Sequence, residues 1–342
     1  MAIIETKNLS KSFRSYQRRE GVLGSIRDLF HREYHEVKAV DGISLRVEEG
    51  ELLGYIGPNG AGKSTSIKML TGILKPTSGE MNVLGLNPFR DRRVYTQRIG
   101  VVFGQRTQLW WDIAVLESFK LLAKIYRAPE ADFRSRLATL NEVLELKELL
   151  HTPVRKLSLG QRMRCDLAAS LLHGPKLLFL DEPTIGLDAV AKDSIRRFLR
   201  HINEEFRTTI ILTTHDLKEI EELCERIIVL DKGSIVYDGS LRAIKAIPGL
   251  TRRIQIEFTK LAPLEELEQT FFGKVEFERE SARIISGKYD PRTLPTGDLL
   301  KNILGKFEVA DLNVAEPNIE EVIMKIYREG VPDVQTAAAT RK

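Results

Sequence analysis

Leu52-Leu53-Gly54-Tyr55-Ile56-Gly57-Pro58-Asn59-Gly60-Ala61-Gly62-Lys63-Ser64-Thr65 decides how the rest of the chain is read. Gly57–Ser64 fits G-x-x-x-x-G-K-[ST], the loop that wraps nucleotide phosphates. A polyphosphate needs many donors at close range. Glycines let backbone N–H groups turn inward with no Cβ in the way, and a helix starting near Lys63 points its positive end at the anion. Leu52–Ile56 is apolar enough for a buried strand running into the loop, and Ser66-Ile67-Lys68-Met69-Leu70 reads as the helix leaving it. Lys63 is then the group that reaches the β/γ-phosphates, and the Ser64 hydroxyl a ligand for Mg²⁺. Thr65 joins Gly57, Pro58, Asn59, Gly60, Ala61 and Gly62 as a candidate phosphate contact.

Composition narrows the class. With 342 residues the chain suits one large domain and a smaller one, and its 42% apolar share is ample for a core. A net charge of +4 and a pI near 8.9 are a mild basic excess, compatible with anionic ligands or a membrane surface. The two cysteines, Cys165 and Cys224, show no C-x-x-C or His spacing, which points to packed thiols and against a disulfide framework or a zinc site. No apolar signal core opens the chain and no apolar run reaches spanning length, so a membrane role is expected to come through a partner.

Taken in order, Ile3–Phe13 reads as a short edge strand and turn. Arg14–Lys38 reads as an insertion with Val22, Ile26, Leu29 and Phe30 at helical spacing. Val40–Val47, Met81–Leu86 and Ile99–Phe103 are strand patterns, and Val115–Leu150 reads as helical throughout. Lys176–Leu180 is a continuous apolar strand delivering Asp181-Glu182, two carboxylates at the carboxyl edge of a sheet and suited to Mg²⁺ and water chemistry. Thr209–Thr214 similarly delivers His215-Asp216. Strands alternating with helices over 50–230 argue for a largely parallel sheet covered on both faces. Beyond Gly239 the rhythm changes to half-buried strands at Arg253–Phe258, Lys274–Arg279 and Phe307–Asn313. Helices are expected at Pro263–Phe271, at Asp298–Leu304 and from a capping box at Asn318.

The later motifs identify a family. Gln105, the stretch Leu157-Ser158-Leu159-Gly160-Gln161, the strand ending in Asp181-Glu182, the turn ending in Asp188, and His215 occur in that order after Gly57–Ser64. From about residue 3 to about 240 this resembles the ATP-binding subunit of an ATP-binding-cassette (ABC) transporter. The chain lacks the N-K-x-D pattern of guanine readers. One departure stands out: the family signature is usually Leu-Ser-Gly-Gly-Gln, and Leu159 replaces the first glycine.

The resemblance implies an α/β fold, a P-loop NTPase core of the ABC type with a mixed, largely parallel sheet and antiparallel β and helical subdomains; the strand and helix pattern beyond Gly239 adds a small C-terminal α+β domain. The corresponding boundaries are 1–240 for the ATPase domain, about 106–172 for its helical subdomain, about 14–38 for the insertion, 241–330 for the accessory domain and 331–342 for a flexible tail. It implies ATP and Mg²⁺, with Asp181, Ser64 and Gln105 around the metal, Glu182 as base on the attacking water, and His215 and Gln105 sensing the γ-phosphate. It also implies a head-to-tail pairing of two such subunits, in which Ser158, Gly160, Gln161 and Asp188 complete the partner's ATP site. Adenine would stack on an aromatic residue upstream of the loop; Tyr34 is favoured, with Phe13 as the alternative.

Phe103–Asp112, the closing Glu316–Val322 and the placement of the insertion are similar to the subgroup paired with ABC-2 exporter permeases. An export ATPase on the cytoplasmic face of the membrane is therefore the lead reading, with at least one of Trp110 and Trp111 meeting the permease. An importer subunit is an alternative, and so is a soluble cassette ATPase acting on DNA or ribosomes. The single cassette and the lack of long heptads between Lys63 and Ser158 weigh against that last reading, and no nucleic-acid partner is expected.

Overall fold

The protein is described from a computed structural model that covers residues 1–16, 34–104, 106–245, 250–316 and 319–329. It divides into two units, the first Met1–Ser240 and the second opening at Leu241.

The first unit begins with β1 (Ala2–Tyr16), which pairs antiparallel with β2 (Tyr34–Ile43) and β3 (Arg46–Glu48). β4 (Leu52–Ile56) leaves for the core sheet, and β5 (Ser78–Val83) returns to pair with β1. β1 is thus the centre of a sheet and runs to Tyr16, where the sequence suggested a short edge strand. The reason is local: Asn8 sits at φ 47, and the registers shift around Ser10 and Lys11, so the alternation breaks while pairing continues. The flanks of the insertion are strands, with Phe13 opposite Val37 and Arg14 opposite Glu36. The helical spacing expected at Val22–Phe30 falls within residues 17–33, which lie outside the described residues.

The core sheet holds β6 (Ile99–Phe103), β7 (Leu177–Asp181), β8 (Thr209–Thr213), β9 (Arg226–Asp231) and β10 (Ser234–Ser240) beside β4, in the order β10-β9-β4-β8-β7-β6. Every neighbouring pair is parallel except β10 with β9. All five residues of β4 and of β8 are buried, as parallel strands covered on both faces require. Leu53 and Tyr55 of β4 pack with Ile67 from α1 (Lys63–Leu70) and with Leu177, Phe179, Ile211 and Ile228.

After the short α2 (Arg92–Tyr95), the helical subdomain has α3 (Val115–Ile125), α4 (Glu130–Val143) and α5 (Leu159–Leu171). Continuous helix through 115–150 does not occur. Arg127 at φ 55 and Pro129 split α3 from α4, and Glu145 at φ 51 follows the end of α4. α6 (Ala189–Phe206) and α7 (Leu217–Leu223) follow β7 and β8.

The second unit contains α8 (Leu241–Lys245), β11 (Arg252–Phe258), α9 (Leu264–Phe271), β12 (Val275–Arg279), β13 (Ile284–Tyr289), α10 (Thr296–Lys306), β14 (Val309–Ala315) and α11 (Ile319–Glu329). Its antiparallel sheet has the order β12-β13-β11-β14, and Ile254, Ile256, Leu267, Ile285, Leu299 and Ile303 form its core. β13 was not legible in the sequence, because Ser286-Gly287-Lys288 interrupts its apolar pattern. Asn318, the expected cap of α11, and the tail 331–342 lie outside the described residues.

Candidate functional site

β4 delivers the chain to a loop in which Pro58, Asn59 and Gly60 are exposed while Ala61, Gly62 and Lys63 are buried. Gly62 stands at φ 101 as the N-cap of α1, and a Cβ there would run into the carbonyl oxygen of Ala39. No side chain caps α1, so its N-terminal N–H groups are left to the loop and to an anion. Lys63 is only 6% exposed. Its Nζ donates to the carbonyls of Gly57 at 2.6 Å and Pro58 at 3.1 Å. Burial lowers the ammonium below its ordinary value, opposed by Glu182 and Asp181. A buried cation resting on its own loop's carbonyls suits a phosphate.

The second half of the site lies at the carboxyl ends of β7 and β8. The Ser64 Oγ donates to Asp181 Oδ1 at 3.3 Å, and Thr213 Oγ1 donates to the same oxygen at 2.7 Å. Glu182 follows at φ 57, a left-handed conformation uncommon for a side chain of its size, and its N–H is held by Thr213. That geometry directs the Glu182 carboxylate to His215, with Oε1 and Nε2 2.5 Å apart. A Cβ on Gly104 would overlap the Glu182 carbonyl, which explains the glycine before Gln105. Gln105 itself lies outside the described residues.

Ser64 and Asp181 offer a hydroxyl and a carboxylate, the oxygen donors Mg²⁺ prefers. No group of three or more His, Cys, Asp or Glu suited to a metal occurs among the described residues. That donor set fits Mg²⁺ as held in nucleotide sites, where one or two protein ligands are completed by water and phosphate oxygens.

Two residues missed by the sequence reading brace this edge. Thr213 is one; the other is Glu219 of α7, 1% exposed, whose Oε2 accepts from Thr184 Oγ1 at 2.9 Å and Thr214 Oγ1 at 2.8 Å. It ties the turn after Glu182 to the residue before His215. Lys192 makes a parallel tie, its Nζ 2.7 Å from Asp216 Oδ2. The hydrogen bond to Lys192 is the main reason the Asp216 carboxyl lies below its ordinary value. The sequence carries no clear signal for Glu219, one of three glutamates in Leu217–Leu223.

The signature residues sit apart. Ser158 caps α5: its Oγ accepts from the Gln161 N–H at 3.2 Å, and its own N–H donates to Gln161 Oε1 at 2.9 Å. Gly160 lies in the first turn of α5. Leu159, the departure from the usual signature, lies over Gly186. Asp188 caps α6 through the Ala191 N–H at 2.8 Å. Among the described residues no hydrogen bond joins Ser158, Gly160 or Gln161 to the phosphate loop. Of the aromatic candidates, Phe13 is 42% exposed beneath the Lys11 ammonium; the Tyr34 side chain lies outside the described residues. Trp110 and Trp111 are both exposed, at 41% and 50%, and the Arg162 guanidinium lies 5.6 Å from the Trp111 ring.

Comparison with known proteins gives a consistent result. The sequence model of the family described as ABC transporter matches residues 40–185. The chain is 33% identical over 304 residues to the methionine import ATP-binding protein MetN of Halalkalibacterium halodurans, covering 87% of each. It is 36% identical over 222 residues to the daunorubicin resistance ATP-binding protein DrrA3 of Streptomyces coeruleorubidus, covering 64% of this chain and 68% of the relative. Among solved structures, the dimeric post-hydrolysis state of the ATP-binding cassette MJ0796 bound to ADP and Pi is 28% identical, with a TM-score of 0.58 over 70% of this chain and 99% of that one.

Proposed function

The chain belongs to the ABC transporter family as an ATP-binding, ATP-hydrolysing subunit that works with Mg²⁺, and from that premise we propose that it drives export through a separate ABC-2-type permease. Such subunits act as dimers with a membrane permease, and no helix among the described residues is long and apolar enough to cross a membrane. The position at the cytoplasmic face is part of the proposal.

The observation that carries the chemical reading is the convergence of Lys63, Ser64, Asp181, Glu182 and His215 at one sheet edge. In this reading Lys63 and the loop from Gly57 to Thr65 hold the phosphates, and Ser64 and Asp181 hold Mg²⁺, with Gln105 assigned to the same ion. Bound Mg²⁺ neutralises charge on the phosphate oxygens. Glu182 takes the proton of the attacking water, and His215 holds the Glu182 carboxylate in place. Ser158, Gly160, Gln161 and Asp188 face the partner's nucleotide, which accords with their separation from the phosphate loop in cis. Tyr34 is assigned to the adenine.

Glu182→Gln tests the reading. It preserves shape while removing the base, so turnover should fall by roughly 10²–10⁴ with ATP binding retained. An ATP-dependent dimer should persist on size exclusion. Parental hydrolysis in this variant would sink the assignment.

Export rests on the exporter-like stretch Phe103–Asp112 and on the likeness to the daunorubicin resistance protein. Import is favoured by a specific observation, that the likeness to MetN extends over 304 residues and so past the first unit. ATP-driven substrate movement in vesicles containing the cognate permease, in both orientations, decides between them.

A further inference from the structure

Between β6 and α3 the chain runs across the surface of the helical subdomain, and in the segment Thr107–Asp112 residue after residue is tied down. Asp166, in the middle of α5 and 3% exposed, is the centre of those ties. Its Oδ1 accepts from Thr107 Oγ1 at 2.9 Å and from the Gln108 N–H at 3.0 Å. The Gln108 side chain answers, donating from Nε2 to the Asp166 carbonyl at 3.0 Å. Thr107 Oγ1 also accepts from the Leu109 N–H at 3.1 Å, and the Trp110 N–H donates to Ser118 Oγ of α3 at 3.2 Å. One turn before Asp166 on the same helix, Arg162 covers the Trp111 ring. The Arg155 N–H donates to the Trp111 carbonyl at 3.0 Å, and its guanidinium reaches Asp112 Oδ1 at 2.8 Å.

An apolar side chain at position 166 would be simpler for folding. Burial pushes the Asp166 carboxyl up to about 6, against the pull of Thr107, Gln108 and Arg162. What the carboxylate provides is direction: two converging donors fix one register of the segment on the helix, where apolar packing alone would tolerate several. The N-terminus of that helix is Ser158, about 12 Å away at helical rise. A helix of this length transmits displacement with little bending.

We infer that Asp166 is a positioning residue that clasps Thr107–Asp112 to α5, so that displacement of the Trp110–Trp111 surface is delivered to Ser158. The inference rests on the reading of Ser158 as a nucleotide contact proposed above. Segment and helix then move as one body.

The sequence supplies the probe, because its two tryptophans are Trp110 and Trp111. In the full-length chain, Asp166→Ala and Thr107→Val should red-shift the intrinsic emission and raise the acrylamide quenching constant about twofold. Asp166→Asn and Thr107→Ser, which keep the acceptor and the hydroxyl, should match the parent. In ATPase assays the first pair should lose roughly tenfold in kcat with the KM for ATP within about twofold, and the second pair should be spared. Parental quenching in a folded Asp166→Ala chain overturns the clasp. Raised quenching with unchanged kcat overturns the delivery to Ser158. Should Asp166→Ala not fold, Thr107→Val decides alone on the same two readouts. A parental protein without ATPase activity would remove the proposed function, yet the quenching series would still decide the clasp.

Discussion

Glu182 and Asp166 are carboxylates held in positions that an unconstrained carboxylate avoids, and each is disfavoured for a different reason. Glu182 takes a left-handed backbone that Thr213 locks from the neighbouring strand. Asp166 is disfavoured by burial: its ordinary value is 3.8, and burial raises it to about 6. Between those two values the folded chain binds more protons than the unfolded one, so stability falls as pH rises through the window and the whole penalty is present above about pH 6. Asp166→Asn keeps an oxygen toward Thr107 and Gln108 and removes the charge. Urea unfolding at pH 7 should show the variant more stable by something on the order of 1–3 kcal/mol, with the two proteins converging below about pH 4. Equal midpoints at pH 7 would mean the buried charge carries no penalty.

Among the elements, the β1–β2 ribbon differs most from what its sequence suggests, and it carries both candidates for the adenine contact. Phe13 pairs with Val37 and is half-exposed, and Tyr34 opens β2 opposite Tyr16. Stacking needs an aromatic face and is indifferent to the hydroxyl. Tyr34→Ala should therefore raise the apparent KM for ATP several-fold, while Tyr34→Trp stays near the parent. A larger rise with Phe13→Ala than with Tyr34→Ala transfers the role to Phe13. The same logic of elements applies to α5, whose first turn offers Ser158 and Gly160 outward while its middle grips Thr107–Asp112. In the proposed reading, that one helix serves both a nucleotide contact and a permease-facing surface.

At the scale of the molecule, the first and second units have separate hydrophobic cores. Ile254 is fully buried in β11 within a cluster drawn wholly from residues after Ser240. Ile254→Ala removes three buried carbons, a change that costs about 2–5 kcal/mol in packed cores. We expect calorimetry to show one of two transitions lowered, with ATP hydrolysis within about twofold of the parent. If hydrolysis disappears while the first transition is unmoved, turnover depends on the second unit. A single transition, lowered as a whole, would instead show that the two units unfold together.

The phosphate loop and the Asp181-Glu182 strand end could be read from sequence because each is a contiguous stretch whose chemistry follows from its own backbone, and the signature because its residues match a family motif. Gly62 has to turn and a buried strand has to end at the sheet edge, whereas the Ser158–Gln161 cap of α5 came from the structure. The interruptions in β1 and β13 hid strands, because alternation is visible only while the register is unbroken, and pairing to neighbours survives a bulge or a glycine. The braces were invisible for a stricter reason. Thr213 meets Asp181 from 32 positions away, Thr184 meets Glu219 from 35, and Thr107 meets Asp166 from 59. No local propensity encodes such pairs. They exist because a parallel sheet sets β7 beside β8 and because α5 packs under the chain leaving β6, and only the folded molecule brings those hydroxyls to those carboxylates.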